Sequence, residues 1–399
     1  MKILQVSHRV PYPLNEGGTI GIYNYTRGFH EAGHEVTLVS LNGIKHQIDT
    51  REALHELRKF GRVFILDIDT NVKIVPAFMN LFSKRSYNVS RFYSVGFKDL
   101  LVNLLSTETF DIIQVEGTFV AEYFTNIRNL TKAPIVLRQH NVEYQIWERL
   151  AVNEPNPVKK WYLNLLSKRL KQFERSIINL YDAVIPVTED DAELFRKLEC
   201  TKPIFVSPSG IDTFYWKPTP ALEDPFKVYH LGSLEWIPNR EAVLWFIAEV
   251  WPLILDIDKR FTLYIAGKNM PDFMKNMYVE NVKMIGEVKD GAEFVKDKMI
   301  TVVPLLSGSG IRLKILEAMS AGKLVISTHI GAQGINYIKD TNILIADTPL
   351  EFKTNFYRIF QNLDEANKIK LNGYELIQQS YSNKAVVERL LTYYKSLLS

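Results

Sequence analysis

Arg312, Lys314 and Glu317, set just behind the glycines of Ser307-Gly308-Ser309-Gly310, are the residues of this sequence best placed to do chemistry. A glycine turn that opens a helix points free backbone N–H groups and the positive end of the helix dipole at one spot, and such a spot binds anions. Cations at a helix start are unfavourable by about 0.3–1 kcal/mol each, so Arg312 and Lys314 call for something negative to offset them. A phosphate fits that need. A second group is His140-Asn141-Val142-Glu143, a polar tetrad that follows an apolar run. At the carboxyl end of a parallel strand, residues of that kind line the ligand crevice. The competing reading is structural throughout: a tight connection, solvated cations and a surface histidine.

The elements that must carry these groups read as repeated strand, turn and helix units. Ile300 to Leu306 is an apolar run of strand length, and from Ile311 the residues Ile311, Ile315, Ala318 and Met319 recur at helical spacing until Gly322, which has the place of a C′ glycine. Earlier, Lys2 to Ser7 reads as a buried strand, then comes a Pro/Gly loop, a helix that Thr19 can cap and that runs to about His30, and a strand from Glu35 to Leu41. Strands are expected at 62–68, 111–116, 134–139, 183–187 and 204–207, and residues 71–106 resolve only as helices. The alternation restarts with strands at 228–232, 261–267, 282–288, 300–306, 324–327 and 343–346, a helix from Pro238 to about Leu255, and a mostly helical end from Phe352. This predicts an α/β chain of two Rossmann-like domains, 1–207 and 208–381, followed by a last helix at about 382–399.

Composition narrows the partners. A length of 399 residues suits two domains better than one, and 46% hydrophobic with 23% charged residues is globular. A net charge of +3 is too small to point to nucleic acid. The single Cys200 allows no internal disulfide and no cysteine-based zinc site, and the chain starts without a signal peptide's apolar core, so a cytoplasmic protein is expected. The acidic triplets at Asp67 to Asp69 and Asp256 to Asp258 are read as solvated, with no metal bound. The Pro157–Leu180 stretch carries Lys159, Lys160, Lys168, Arg169 and Lys171 on a helix. It is read as a surface helix, with peripheral contact to an anionic membrane face as the alternative.

Leu316-Glu317-Ala318-Met319-Ser320-Ala321-Gly322 resembles the donor-binding helix of the retaining family four, or group 1, glycosyltransferases. His230-Leu231-Gly232-Ser233, Thr328 to Gly334 and Ser209-Gly210-Ile211-Asp212 are further points of similarity. The resemblance implies a GT-B fold, in which two Rossmann-like domains turn parallel sheets toward a central cleft and the last helix packs back on the first domain. It implies transfer of a sugar from a nucleotide-diphosphate sugar to a hydroxyl of a glycan or lipid-linked acceptor, with retention and without a metal or other cofactor. Glu317 matches the ribose-binding glutamate and His140 a histidine that contacts the donor sugar and its phosphate. Gly17 and Gly18 match the N-terminal glycine loop, and Gly232, Ser233, Gly286, Glu287, Ser309, Gly310 and Ile311 fall along the donor.

Two departures stand out. The pattern's other glutamate, eight residues before Glu317, is Ser309 here, and the cations that hold the diphosphate fall at about Ser233 and Asn239. A buried pyrophosphate without partners is costly, so Arg312 and Lys314 are expected to replace the lost pair, with Arg240 in reserve. Competing readings are a GT-B epimerase, a nucleotide-dependent dehydrogenase, and a silent sugar-nucleotide-binding subunit. The dehydrogenase lacks its glycine fingerprint, and the epimerase is weakened by Ser309.

Overall fold

Short apolar runs of β-branched residues, each closed by glycine or a polar residue, become the strands of two parallel sheets. The computed structural model describes residues 1–14, 17–44, 47–71, 80, 86–219, 223–308 and 310–398. Much of the 71–106 stretch expected as helix lies outside these; Val95–Thr107 is helical. Contacts divide the chain into Met1–Gly210 with Val386–Ser399, here unit 1, and Ile211–Ala385, here unit 2.

In unit 1 the strands are β1 (Lys2–Ser7), β2 (Glu35–Gly43), β3 (Arg62–Ile68), β4 (Ile112–Glu116), β5 (Ile135–Gln139) and β6 (Ala183–Pro186), ordered β3-β2-β1-β4-β5-β6. Every residue of β4 and β5 is buried, as in a sheet covered on both faces. One face packs Val6, Val115 and Leu137 on Phe97, Leu101 and Ile177. The other packs Ile3, Tyr25 and Phe29 against Val386, Leu390 and Tyr394 of the terminal helix Asn383–Leu398. Strand order reverses between β1 and β4, and the loops after them open a crevice there.

Unit 2 repeats the plan with β7 (Asp224–Leu231), β8 (Thr262–Ala266), β9 (Val282–Gly286), β10 (Lys298–Val303), β11 (Leu324–Ser327) and β12 (Leu344–Ile345), ordered β12-β11-β10-β7-β8-β9. Its switch point lies between β7 and β10, and the Gly-rich turn follows β10.

Four expectations needed correction. The first helix begins at Gly17, so Thr19 lies inside it and its hydroxyl donates to Pro13 O at 3.3 Å instead of capping. Ile204 to Ser207 runs beside β6 and forms only one bridge, to Val184, because Pro186 of β6 has no amide to continue the ladder to Phe205 O. The 237–255 helix contains a π-helical turn at Phe246–Val250, where Pro252 lacks the amide that an α-helical bond needs. The helix after the glycine turn is Leu313–Ser320, two residues later than its apolar period implied, because Arg312 is extended at φ −93° and ψ 92°. Gly322 takes φ +71° after the helix, the left-handed conformation its position requires. No helix among the described residues is long and apolar enough to cross a membrane.

Candidate active site

In unit 1 the carboxyl ends of β4 and β5 bring together a carboxylate, a guanidinium and two imidazoles. Glu116 pairs in register with Arg138, and both are fully buried. Glu116 Oε2 lies 3.0 Å from Arg138 Nη1 and 2.9 Å from His140 Nε2. Burial alone would raise the Glu116 pKa, but the Arg138 charge and the His140 hydrogen bond hold it down at about 2. Burial and Arg138 lower the His140 pKa, so the ring is neutral, its Nε2–H donates to the carboxylate and Nδ1 is left as the acceptor. The other Glu116 oxygen accepts from Gln114 and Gln5, and Gln114 in turn accepts from the Tyr394 hydroxyl. The Arg138 guanidinium stacks over Tyr25 at 4.2 Å. His8, after β1, meets Glu116 O through Nδ1 at 3.1 Å, and burial pushes its pKa down to about 3. Gly117 is a glycine for two reasons: φ is +86°, and a Cβ would stand 3.3 Å from the His8 ring.

Of these groups His8, Gly117 and His140 border a cavity of about 750 Å³, lined also by Arg9, Gly17, Gly18 and Glu143. A Cβ on Gly21, in the helix that starts the crevice, would strike Ser209 Oγ at 2.8 Å, so the helix approaches that closely only without a side chain there.

In unit 2 the site is built around Lys314. Its Nζ donates to Asn239 Oδ1 at 2.7 Å and lies 3.4 Å from His230 Nε2. His230, buried on β7, donates through Nδ1 to Val302 O at 3.0 Å, which leaves Nε2 as a lone pair facing the ammonium. Asn239 Nδ2 donates to Ser233 O at 2.8 Å. A Cβ on Gly232 would stand 2.5 Å from Lys314 Nζ, so the glycine makes room for the cation. Burial, then the neighbouring Arg312 charge, pulls the Lys314 pKa down to about 7 against the opposing pull of Glu317. Burial raises that of Glu317 to about 7, against Lys314. Among the described residues the Glu317 carboxylate accepts no hydrogen bond. Arg312 is turned differently: Nη1 donates to Gly310 O at 2.6 Å and the guanidinium lies 5.4 Å from the Trp236 ring centre. Gly308, at φ +120°, makes room for it.

Comparison with known proteins gives the family of the chain. A model described as Glycosyltransferase Family 4 matches residues 16–214, and one described as Glycosyl transferases group 1 matches residues 225–362. The chain belongs to the group 1 glycosyltransferases. It is 23% identical over 406 residues to an uncharacterised 44.6 kDa protein in the cps region of Klebsiella pneumoniae, covering 96% of this chain and 97% of that one. In structure it is similar to sucrose-phosphate synthase from Thermosynechococcus elongatus, at TM-score 0.68 and 15% identity over 100% and 99% of the two chains. The UDP complex of Anabaena Alr3699/HepE is also similar, at TM-score 0.66 and 12% identity over 99% and 100%. These likenesses establish the GT-B fold.

Within this glycosyltransferase the predicted residues are distributed unevenly. Lys314 comes to Asn239 and, through it, to Ser233, the two positions at which the resemblance led cations to be expected. Arg240 is in the same helix, but Asn239 is the residue there that meets Lys314. Gly310 and Ile311 form the turn, with Ile311 partly packed on the core, and Ser309 lies outside the described residues. Gly286, at φ +77°, ends β9 and accepts from Gly267 N at 2.8 Å, while Glu287 is exposed 3.9 Å from Lys268. β9 is two strands from β7, so that pair stands apart from the Lys314 cluster. The acidic triplets have local partners: Asn42 donates to Asp67 at 2.8 Å, and Arg260 pairs with Asp258 at 2.7 Å. Sequence reasoning missed Glu116, Arg138, His8 and His230. A signal existed, since each is charged or ionisable inside or beside an otherwise apolar strand run.

Proposed function

We propose that this glycosyltransferase uses unit 2 to hold a nucleoside-diphosphate sugar and unit 1 to hold a hydroxyl acceptor, and transfers the sugar with retention. The observation that carries the reading is the Lys314 ammonium, seated at Gly232 and Asn239 where the family's phosphate-binding cations are absent. On departure of the diphosphate the negative charge grows, and a cation already fixed beside it lowers the barrier without reorganising. Glu317, on the same helix, would take the ribose hydroxyls, and Arg312 would support the phosphates at the glycine turn. That HepE and the pneumococcal O-GlcNAc transferase GtfA hold UDP in their structures supports a uridine donor here. His140, kept neutral by burial and Arg138, is the unit 1 residue that the family resemblance assigns to the donor sugar and its phosphate.

The reaction is read as metal-independent, the cation role falling to Lys314 and Arg312. The acceptor is a glycan or lipid-linked glycan, and peripheral membrane contact fits the exposed Val152, Val158 and Trp161 beside Lys159 and Lys160. The test is release of UDP from a panel of UDP-sugars, with and without a crude membrane extract, in the presence of EDTA. Turnover that depends on the extract and survives EDTA supports the reading, and a product NMR spectrum reports the anomeric configuration. Binding of UDP with no turnover on any donor would instead make the chain a silent sugar-nucleotide-binding subunit.

A further inference from the structure

Glu143 lines the unit 1 cavity, where the Asn141 side chain is its hydrogen-bond partner and Arg9 its nearest cation. It opens the helix Glu143–Val152, yet its carboxyl does not cap that helix. The cap comes from Glu174 on the neighbouring helix Pro157–Ile177, whose two oxygens accept from the backbone amides of Glu143 at 3.1 Å and Tyr144 at 3.0 Å, and from Thr118 Oγ1 at 3.1 Å. The Glu143 side chain lines the cavity and, among the described residues, forms no ion pair. Burial and the nearby Glu174 carboxyl push its pKa up to about 8, so it carries a proton at neutral pH and is able both to donate and to accept. A carboxyl kept half-buried beside a second carboxyl opposes folding, and the one bond from Asn141 leaves donor and acceptor capacity for a ligand.

What shares its helix face identifies the ligand. Ile146, Trp147 and Leu150 follow Glu143 by three, four and seven residues, and all four line the cavity. Ile146 is 37% and Leu150 52% exposed, so this apolar strip is not covered by the fold. One helix face therefore offers a single hydrogen-bonding group at its inner end and hydrocarbon along the rest. We propose that Glu143 is the acceptor-recognising residue of unit 1: it hydrogen-bonds a saccharide hydroxyl while an apolar chain on that saccharide lies along Ile146, Trp147 and Leu150. The ligand class is an amphiphilic glycoside. The inference rests on the transferase reading only in naming this ligand the acceptor.

n-Octyl β-D-glucopyranoside, kept below its micelle concentration, is a probe of that chemistry. By calorimetry on the full chain, Glu143→Ala should weaken its binding about tenfold, while Glu143→Gln, which keeps a donor and an acceptor, should cost about two- to threefold. Leu150→Ser should also weaken octyl glucoside, and octanol alone should show no loss on Glu143→Ala. UDP affinity should stay unchanged in all three variants. Equal affinity of Glu143→Ala and parent for octyl glucoside, or no saturable binding by the parent, overturns the proposal. If the octyl glucoside pattern holds while the parent binds no UDP, the cavity assignment stands and the transferase reading fails.

Discussion

Two buried histidines, one on each sheet, face opposite neighbours. His140 in unit 1 donates to a carboxylate that Arg138 already neutralises, so the charges there close on one another. His230 in unit 2 offers its lone pair to Lys314, whose other partner is the neutral amide of Asn239. In one cluster cation and carboxylate are already paired. The other leaves a cation and a carboxyl, Lys314 and Glu317, both held near neutrality by burial, and so is built to change state when an anion arrives. The closed cluster should therefore matter to folding, and the open one to binding.

The largest effect should come from opening the closed cluster. Glu116→Ala leaves the fully buried Arg138 without its counter-ion, which costs about 3–5 kcal/mol and should appear as a lowered urea midpoint. Affinity of the folded fraction for uridine, which has no phosphate for His140 to meet, should be untouched. A variant as stable as the parent would mean that the pair is not the brace it looks like.

Lys314→Met is the converse experiment. It should leave the empty protein at least as stable, since a desolvated cation is removed, yet weaken UDP by about 1.5–3 kcal/mol, the range for bonds to charged groups. Uridine binding should not change. Arg312→Met should cost less, because that guanidinium is already engaged by Gly310 O and Trp236. A larger loss for Arg312 would move the phosphate site to the glycine turn.

Titration sharpens the contrast. Glu317 is raised from 4.5 to about 7, so the folded state holds the extra proton between those values, and this contribution to stability falls as pH rises toward 7. Lys314 is lowered from 10.5 to about 7, so the unfolded state holds the extra proton above 7, and stability rises with pH from there. Parent minus Lys314→Met/Glu317→Gln stability should thus show a trough near pH 7. UDP binding at that pH should also take up a proton, seen as a buffer-dependent calorimetric heat, and an identical heat in all buffers would count against Lys314.

The smallest effect concerns the outer face of unit 1. Sedimentation with anionic vesicles should decline in Lys159→Gln/Lys160→Gln, and for the parent as salt passes physiological strength, where the screening length is about 8 Å. Equal sedimentation with neutral vesicles would remove the membrane reading.

Legibility followed the range of the interactions. Strand runs such as Lys2–Ser7 and Leu324–Ser327, and the stop at Gly322, were readable because local pattern and backbone conformation govern them. The helix Glu143–Val152 was not, because its cap is Glu174, about thirty positions away and on another helix. Arg312 left the expected helix because its guanidinium bonds back to Gly310, a preference that no apolar period encodes.

By itself the sequence determined the two alternating α/β halves, the glycine turn before a helix, and the presence of two cations near it, since each depends on residues adjacent in the chain. Which of those cations meets Asn239 was decided only by the tertiary structure. Lys314 and Asn239 are 75 residues apart, and only the pairing of β7 with β10 sets the end of one beside the helix of the other. The same is true of Glu116, Arg138 and His140, whose closed circuit exists because β4 and β5 lie side by side in register. Charge state, in both clusters, follows from burial and neighbours that folding alone supplies.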